Sequence, residues 1–209
     1  MSEILIPGPA GEIEARLESQ PETDSMSPPA PLAIICHPHP VYGGTMTNKV
    51  VHILAGGFKE LGAHTVRFNF RGVGRSTGKF DHGVGEAGDL LAVAKWAQAR
   101  FPASPLWLAG FSFGAWIALK SASELQAARL LLVAPPVDMY DFSLIPAVSM
   151  PLMVIQGGED EIVSAAAVAD WVAQRQPGAR FIKIDSAGHF FHGQLNTLKK
   201  RLIEGFSAL

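Results

Sequence analysis

Ser112 lies in Gly110-Phe111-Ser112-Phe113-Gly114, a G-x-S-x-G pattern, and its neighbours give that pattern a context. Pro105-Leu106-Trp107-Leu108-Ala109 ahead of it is a short apolar run, read as a buried strand. Ala115 to Ala122 behind it contains no Gly or Pro that would break a helix. A sharp strand-to-helix turn strains the backbone of its central residue, and only residues without bulk fit two positions to either side. Such a turn lifts the Ser112 hydroxyl clear of the sheet and aims the first N–H groups of the helix at the same point. A serine held there is suited to nucleophilic attack through a covalent intermediate. The bland alternative is a Gly-flanked turn between a core strand and its helix.

A serine hydroxyl is a poor nucleophile near neutral pH. It needs a base within hydrogen-bond reach and a third group that fixes the base's tautomer. The last apolar run ends in Asp185-Ser186-Ala187-Gly188-His189-Phe190-Phe191-His192, and His189 follows a small, flexible Ala-Gly pair. We take His189 as the base. His192 is the competitor, expected on the first turn of the closing helix. For the acid, Leu152 to Gln156 runs into Gly157-Gly158-Glu159-Asp160-Glu161. Asp160 is short enough to be buried against an imidazole N–H, whereas Glu159 and Glu161 are expected to face solvent. Asp138, just after Pro135-Pro136, is the alternative acid.

The same chemistry requires donors for an oxyanion. One is expected to be the Phe113 N–H. The second is expected from His37-Pro38-His39-Pro40-Val41-Tyr42-Gly43-Gly44. Pro38 and Pro40 have no N–H, which leaves His39 first, with Val41 and Tyr42 as alternatives. His37 and His39 as metal ligands is a poor reading, because few further ligands stand nearby. No metal or cofactor is expected.

The elements that must position these groups alternate strand and helix. After an opening hairpin over Glu3 to Ser19, turned at Pro9-Ala10-Gly11, a polar, Pro-rich connection spans Gln20 to Pro31. Strands are expected over Leu32–Cys36, His64–Phe70, Pro105–Ala109, Arg129–Ala134, Pro151–Gln156 and Ala179–Asp185. Helices are expected over Asn48–Leu61, Glu86–Arg100, the segment after Ser112, Ala165–Gln174 and Gln194–Phe206. This order implies one domain over 1–209, an α/β fold whose mostly parallel sheet carries helices on both faces. In such sheets active groups gather at the carboxyl ends of strands.

The 209 residues, 48% hydrophobic and 17% charged, suffice for one substantial core. A net charge of −2 gives no reason to expect nucleic acid or an anionic membrane as partner. No apolar run approaches the ~20 residues of a membrane span. The lone cysteine, Cys36, cannot pair internally, which fits a reducing, cytoplasmic setting.

With these residues assembled, the chain resembles the α/β-hydrolase superfamily, and within it the small bacterial serine hydrolases without a lid. The likeness rests on Cys36-His37-Pro38-His39-Pro40-Val41-Tyr42-Gly43-Gly44-Thr45-Met46, on Arg67-Phe68-Asn69-Phe70-Arg71-Gly72-Val73-Gly74-Arg75-Ser76, on the Ser112 turn, and on Asp160 and His189. The resemblance implies a Ser-His-Asp mechanism and esterase-like activity, and small esters are the expected substrates. A thioesterase, an amidase or peptidase, or a hydrolase-fold binding protein with a silent site remain alternatives. A second copy of the chain, as a homodimer, is the only macromolecular partner entertained. Lids in this superfamily sit between the strands around Ala134 and Leu152, and Val137 to Met150 is too short for a helical cap, so the site should be open. Val41, Tyr42, Met139 and Phe190 are the expected pocket residues, with Phe113, Tyr140, Phe142 and Phe191 nearby. Arg71 and Arg75 are expected to pin the glycine-rich loop, and Glu86 and Asp89 to tie the helix after it.

Overall fold

The structure, a computed structural model, describes residues 2–21 and 28–209; part of the Pro-rich connection expected over 20–31 therefore lies outside the described residues. Strands β1 (Ser2–Gly8) and β2 (Gly11–Glu18) form the antiparallel hairpin, turning at Pro9-Ala10. There follow β3 (Leu32–Cys36), α1 (Lys49–Glu60), β4 (His64–Phe68), α2 (Val84–Arg100), β5 (Leu106–Phe111), α3 (Phe113–Ala122), β6 (Arg129–Val133), β7 (Leu152–Gly157), α4 (Ala165–Arg175), β8 (Arg180–Ile184) and α5 (Leu195–Ser207). They build one eight-stranded sheet in the order β1-β2-β4-β3-β5-β6-β7-β8, in which β2 meets β4 antiparallel and every later pairing is parallel.

The central strands β3, β5, β6 and β7 are apolar over most of their length because both faces are covered, Arg129 opening β6 and Gln156 near the end of β7 being the polar positions. In β3, Leu32, Ile34 and Cys36 face the layer of α2, α3 and α4, while Ala33 and Ile35 face that of α1 and α5. The same period-two split runs through β5, β6 and β7. Each large aliphatic side chain so buried contributes about 1.5–3 kcal/mol of transfer free energy.

Strand order places the crevice. From β3 the chain leaves to one face through α1, and from the neighbouring β5 it leaves to the other through α3. Their loops diverge, opening a gap at the carboxyl ends, as expected where strand order reverses. Between β6 and β7, residues 134–151 form turns without a helix, so no helical cap stands over that end among the described residues.

Several boundaries differ from the expectation. β4 stops at Phe68, not Phe70, because the Phe70 N–H bonds to the His37 ring and leaves the ladder. Arg67, a polar position in that strand, is buried, with its guanidinium on Glu18 (3.1 Å) and the Met46 carbonyl (3.3 Å). Helix α2 starts at Val84, which lets the buried Glu86 accept N–H bonds from Gly83 (2.7 Å) and Asp81 (2.9 Å). Arg71 pins the glycine-rich loop by a bidentate pair to buried Asp89 (2.8 and 3.0 Å), whereas the Arg75 side chain is exposed and its backbone N–H is held by Glu14 (2.9 Å). His192 lies in the turn before α5 rather than on it.

Candidate active site

Ser112 follows directly on β5 and has φ 53° and ψ −121°, a region that costs any residue with a side chain on the order of 1–3 kcal/mol. Packing holds it there. Its N–H bonds to the Val133 carbonyl on β6 (2.9 Å). A Cβ on Gly110 would run into the Gly114 carbonyl, and one on Gly114 into the Cys36 and His37 carbonyls. The two glycines therefore let β5, α3 and the end of β3 approach closely enough to force the turn.

The loop after β8 brings His189 over this turn. Its Nε2 lies 3.1 Å from the Ser112 Oγ, and its Nδ1 lies 2.9 Å from the Asp160 Oδ2. The ring is 3% exposed and sits between Phe111 and Phe190, each with its centroid 5.1 Å away. The His189 N–H bonds to Glu161 (3.0 Å). Asp160, in the loop after β7, is fully buried at its side chain. Oδ2 accepts from His189 and from the Gln156 amide (2.9 Å); Oδ1 accepts from the N–H groups of Ile162 (2.9 Å) and Val163 (2.7 Å). Burial alone would raise its pKa, but the His189 bond and these backbone donors together hold the carboxyl below its usual value. A carboxylate can only accept, so Nδ1 carries the imidazole proton and Nε2 is left to accept from the serine. The arrangement can move a proton from the hydroxyl to the imidazole and stabilise the cation formed.

The competing residues lie elsewhere. His192 is exposed and stacks on Phe190. Asp138 is exposed and, among the described residues, receives only a long contact from the Ser164 N–H at the start of α4 (3.5 Å). Two partners escaped the sequence reading. Gln156 had a signal, an amide closing an otherwise apolar strand. Glu161 had none, because its contact depends on where the β8 loop falls.

Phe113 opens α3, so its N–H is among those a helix leaves unbonded. In the loop after β3 the chain makes a short 3-10 turn at Pro40–Tyr42. The Val41 N–H bonds to the His39 ring Nδ1 (3.2 Å) and the Tyr42 N–H to the His39 carbonyl (3.2 Å). Both are already engaged, whereas no partner is found for the His39 N–H among the described residues. His37 is held by backbone at both ring nitrogens, leaving neither for a metal.

A cleft of about 400 Å³ opens over Ser112 and His189. Tyr42, Met139 and Phe190 line it, with His39, Phe113 and Tyr140. Val41 does not, contrary to expectation. Consecutive residues of a 3-10 turn point about 120° apart, so with Tyr42 on the cleft Val41 faces a shallow depression beside Arg71 and Phe80. Phe142 packs on Trp171, and Phe191 lies in the α1/α5 core. No Asp, Glu, Lys or Arg lines the cleft among the described residues.

No protein-family model matches the chain. A serine hydrolase homologue of the α/β class from Coxiella burnetii is 43% identical, covers 98% of this chain and 96% of its own, and superposes with a TM-score of 0.92. XC6422 from Xanthomonas campestris, an α/β serine hydrolase without a lid, is 42% identical over 99% of this chain and 94% of its own, with a TM-score of 0.91. RP471 of Rickettsia prowazekii, an uncharacterized protein, is 40% identical over 97% of this chain and 87% of its own length. The chain belongs to the α/β serine hydrolases without a lid.

Proposed function

We propose that this hydrolase cleaves small, neutral esters by two-step acyl transfer. His189 takes the Ser112 proton as Oγ attacks the ester carbonyl. The N–H groups of Phe113 and His39 receive the oxyanion, and Asp160 stabilises the imidazolium. The alcohol leaves with the proton returned by His189, which then activates water to release the acid. The observation that carries this reading is the hydrogen-bonded line from Ser112 Oγ through His189 to Asp160 at the floor of an open cleft. The apolar, uncharged lining favours uncharged substrates, because an ion placed there loses hydration without gaining a partner. The buried, unpaired Cys36 supports a cytoplasmic, reducing setting.

The deciding experiment is hydrolysis of p-nitrophenyl butyrate together with fluorophosphonate labelling of the intact protein. Wild type should turn over and carry one adduct at Ser112, and Ser112→Ala should lose both. Hydrolysis undiminished in Ser112→Ala would end the covalent reading, and absence of any adduct would favour a binding role.

A further inference from the structure

We infer that His37 is a positioning residue for the oxyanion site: its bond to the Pro38 carbonyl fixes the Pro38–His39 peptide so that the His39 N–H is presented to the cleft. The inference rests on the acyl-transfer reading above.

His37 is completely buried, with its ring edge-on to Phe70 (4.7 Å) and, among the described residues, no hydrogen bond to Ser112 or His189. Its Nε2 lies 3.0 Å from the Phe70 backbone nitrogen, which can only donate. Nε2 must therefore be unprotonated, and the proton sits on Nδ1. That nitrogen lies 2.6 Å from the Pro38 carbonyl oxygen and donates to it. Burial lowers the His37 pKa to about 4, so this single-proton tautomer persists at neutral pH.

The bond has a geometric consequence for the next residue. No described peptide is cis, and in a trans peptide the C=O and N–H point in opposite directions. Drawing the Pro38 carbonyl toward the buried His37 ring turns the His39 N–H outward, to the side where His39 lines the cleft. The carbonyl is confined from another side as well, since a Cβ on Gly44 would collide with it. The following peptide is held too, because the His39 carbonyl accepts the N–H groups of Tyr42 (3.2 Å) and Gly44 (3.0 Å). Both peptide planes around His39 are thus locked through their oxygens. The register of this loop against Phe113 is set by Gly114, which packs directly on the Cys36 and His37 carbonyls.

The test separates positioning from simple core filling. In His37→Asn the amide nitrogen falls near the place of Nδ1 and can still donate to Pro38. In His37→Gln the longer side chain reaches toward Phe70 and cannot serve Pro38 in the same way. Rates on p-nitrophenyl butyrate are divided by active sites titrated with fluorophosphonate, so that unfolded molecules drop out. His37→Gln should lower kcat about 10²-fold with KM within about twofold, because the donor acts on charge that appears only in the transition state. His37→Asn should recover most of that loss. Inhibition by a trifluoromethyl ketone, whose adduct carries an oxyanion, should weaken in His37→Gln by about the same factor as kcat. Gly44→Ala, which pushes on the same carbonyl from the loop side, should depress kcat with His37 intact, and it carries the test if the core variants do not fold. Wild-type kcat per titrated site in the folded variants overturns the inference while leaving the Ser112 mechanism standing. Loss of all Ser112-dependent hydrolysis in wild type itself overturns both.

Discussion

At the scale of single residues, the site depends on hydrogen bonds that leave few polar groups free. Asp160 accepts four of them, through both carboxylate oxygens. The His189 contact is the one that fixes a tautomer. In Asp160→Asn the amide can present an N–H where the carboxylate accepted, forcing the imidazole proton onto Nε2 and away from the serine. The expected result is a loss in kcat of about 10⁴-fold on p-nitrophenyl butyrate with KM little altered. The loop itself should survive, since Oδ1 can still accept from Ile162 and Val163. A variant that retained kcat within tenfold would show that Asp160 orients nothing of consequence.

At the scale of elements, the segment between β6 and β7 bounds the cleft over the serine. Residues 134–151 carry no helix and supply Pro136, Met139 and Tyr140 as one wall of the cleft. A wall without a roof offers contact to a short acyl chain and leaves a long one in water, where added methylenes gain little. Across p-nitrophenyl esters from acetate to palmitate, kcat/KM should peak at short to medium chains, and a hemisuccinate should fall well below the butyrate of similar length. Best turnover on palmitate would contradict the open-cleft argument, and preference for the hemisuccinate would contradict the argument from the uncharged lining.

For the molecule as a whole, the buried polar groups that shape the site make the fold sensitive to acid. His37 is protonated in an unfolded chain below about pH 6.5 but in the native state only below about 4. Between these values the unfolded state binds the extra proton, so its contribution is fully present above the higher value and is lost as pH falls through the window. The loss is on the order of 3 kcal/mol. Asp160 acts with the same sign at lower pH, because its carboxyl is held below the usual value. Urea midpoints followed from pH 7 to pH 4 should decline steadily, and a flat profile would mean that His37 is not buried neutral. Among the described residues no helix is long and apolar enough to cross a membrane.

How much of this was legible in the sequence follows from how local each signal is. The strand–helix alternation came from hydrophobic patterning and turn residues, which are properties of neighbouring positions, and so did the Ser112 turn, with its glycines two residues to either side. Asp160 and His189 could be proposed because a parallel sheet delivers its loops to one edge, but the contacts of His189 with Asp160 and with Ser112 span 29 and 77 positions of chain and exist only in the folded sheet. Patterning could not reveal that Arg67 is buried, since its partners Glu18 and Met46 come from other elements. Nor could it separate Val41 from Tyr42, adjacent residues that one short turn sends to different sides. It could not distinguish the His39 N–H from its neighbours, because that depends on which donors the loop consumes internally. Covalent neighbours therefore determined the elements and the Ser112 turn, while the convergence of distant loops decided which groups face the cleft and which are spent holding it in shape.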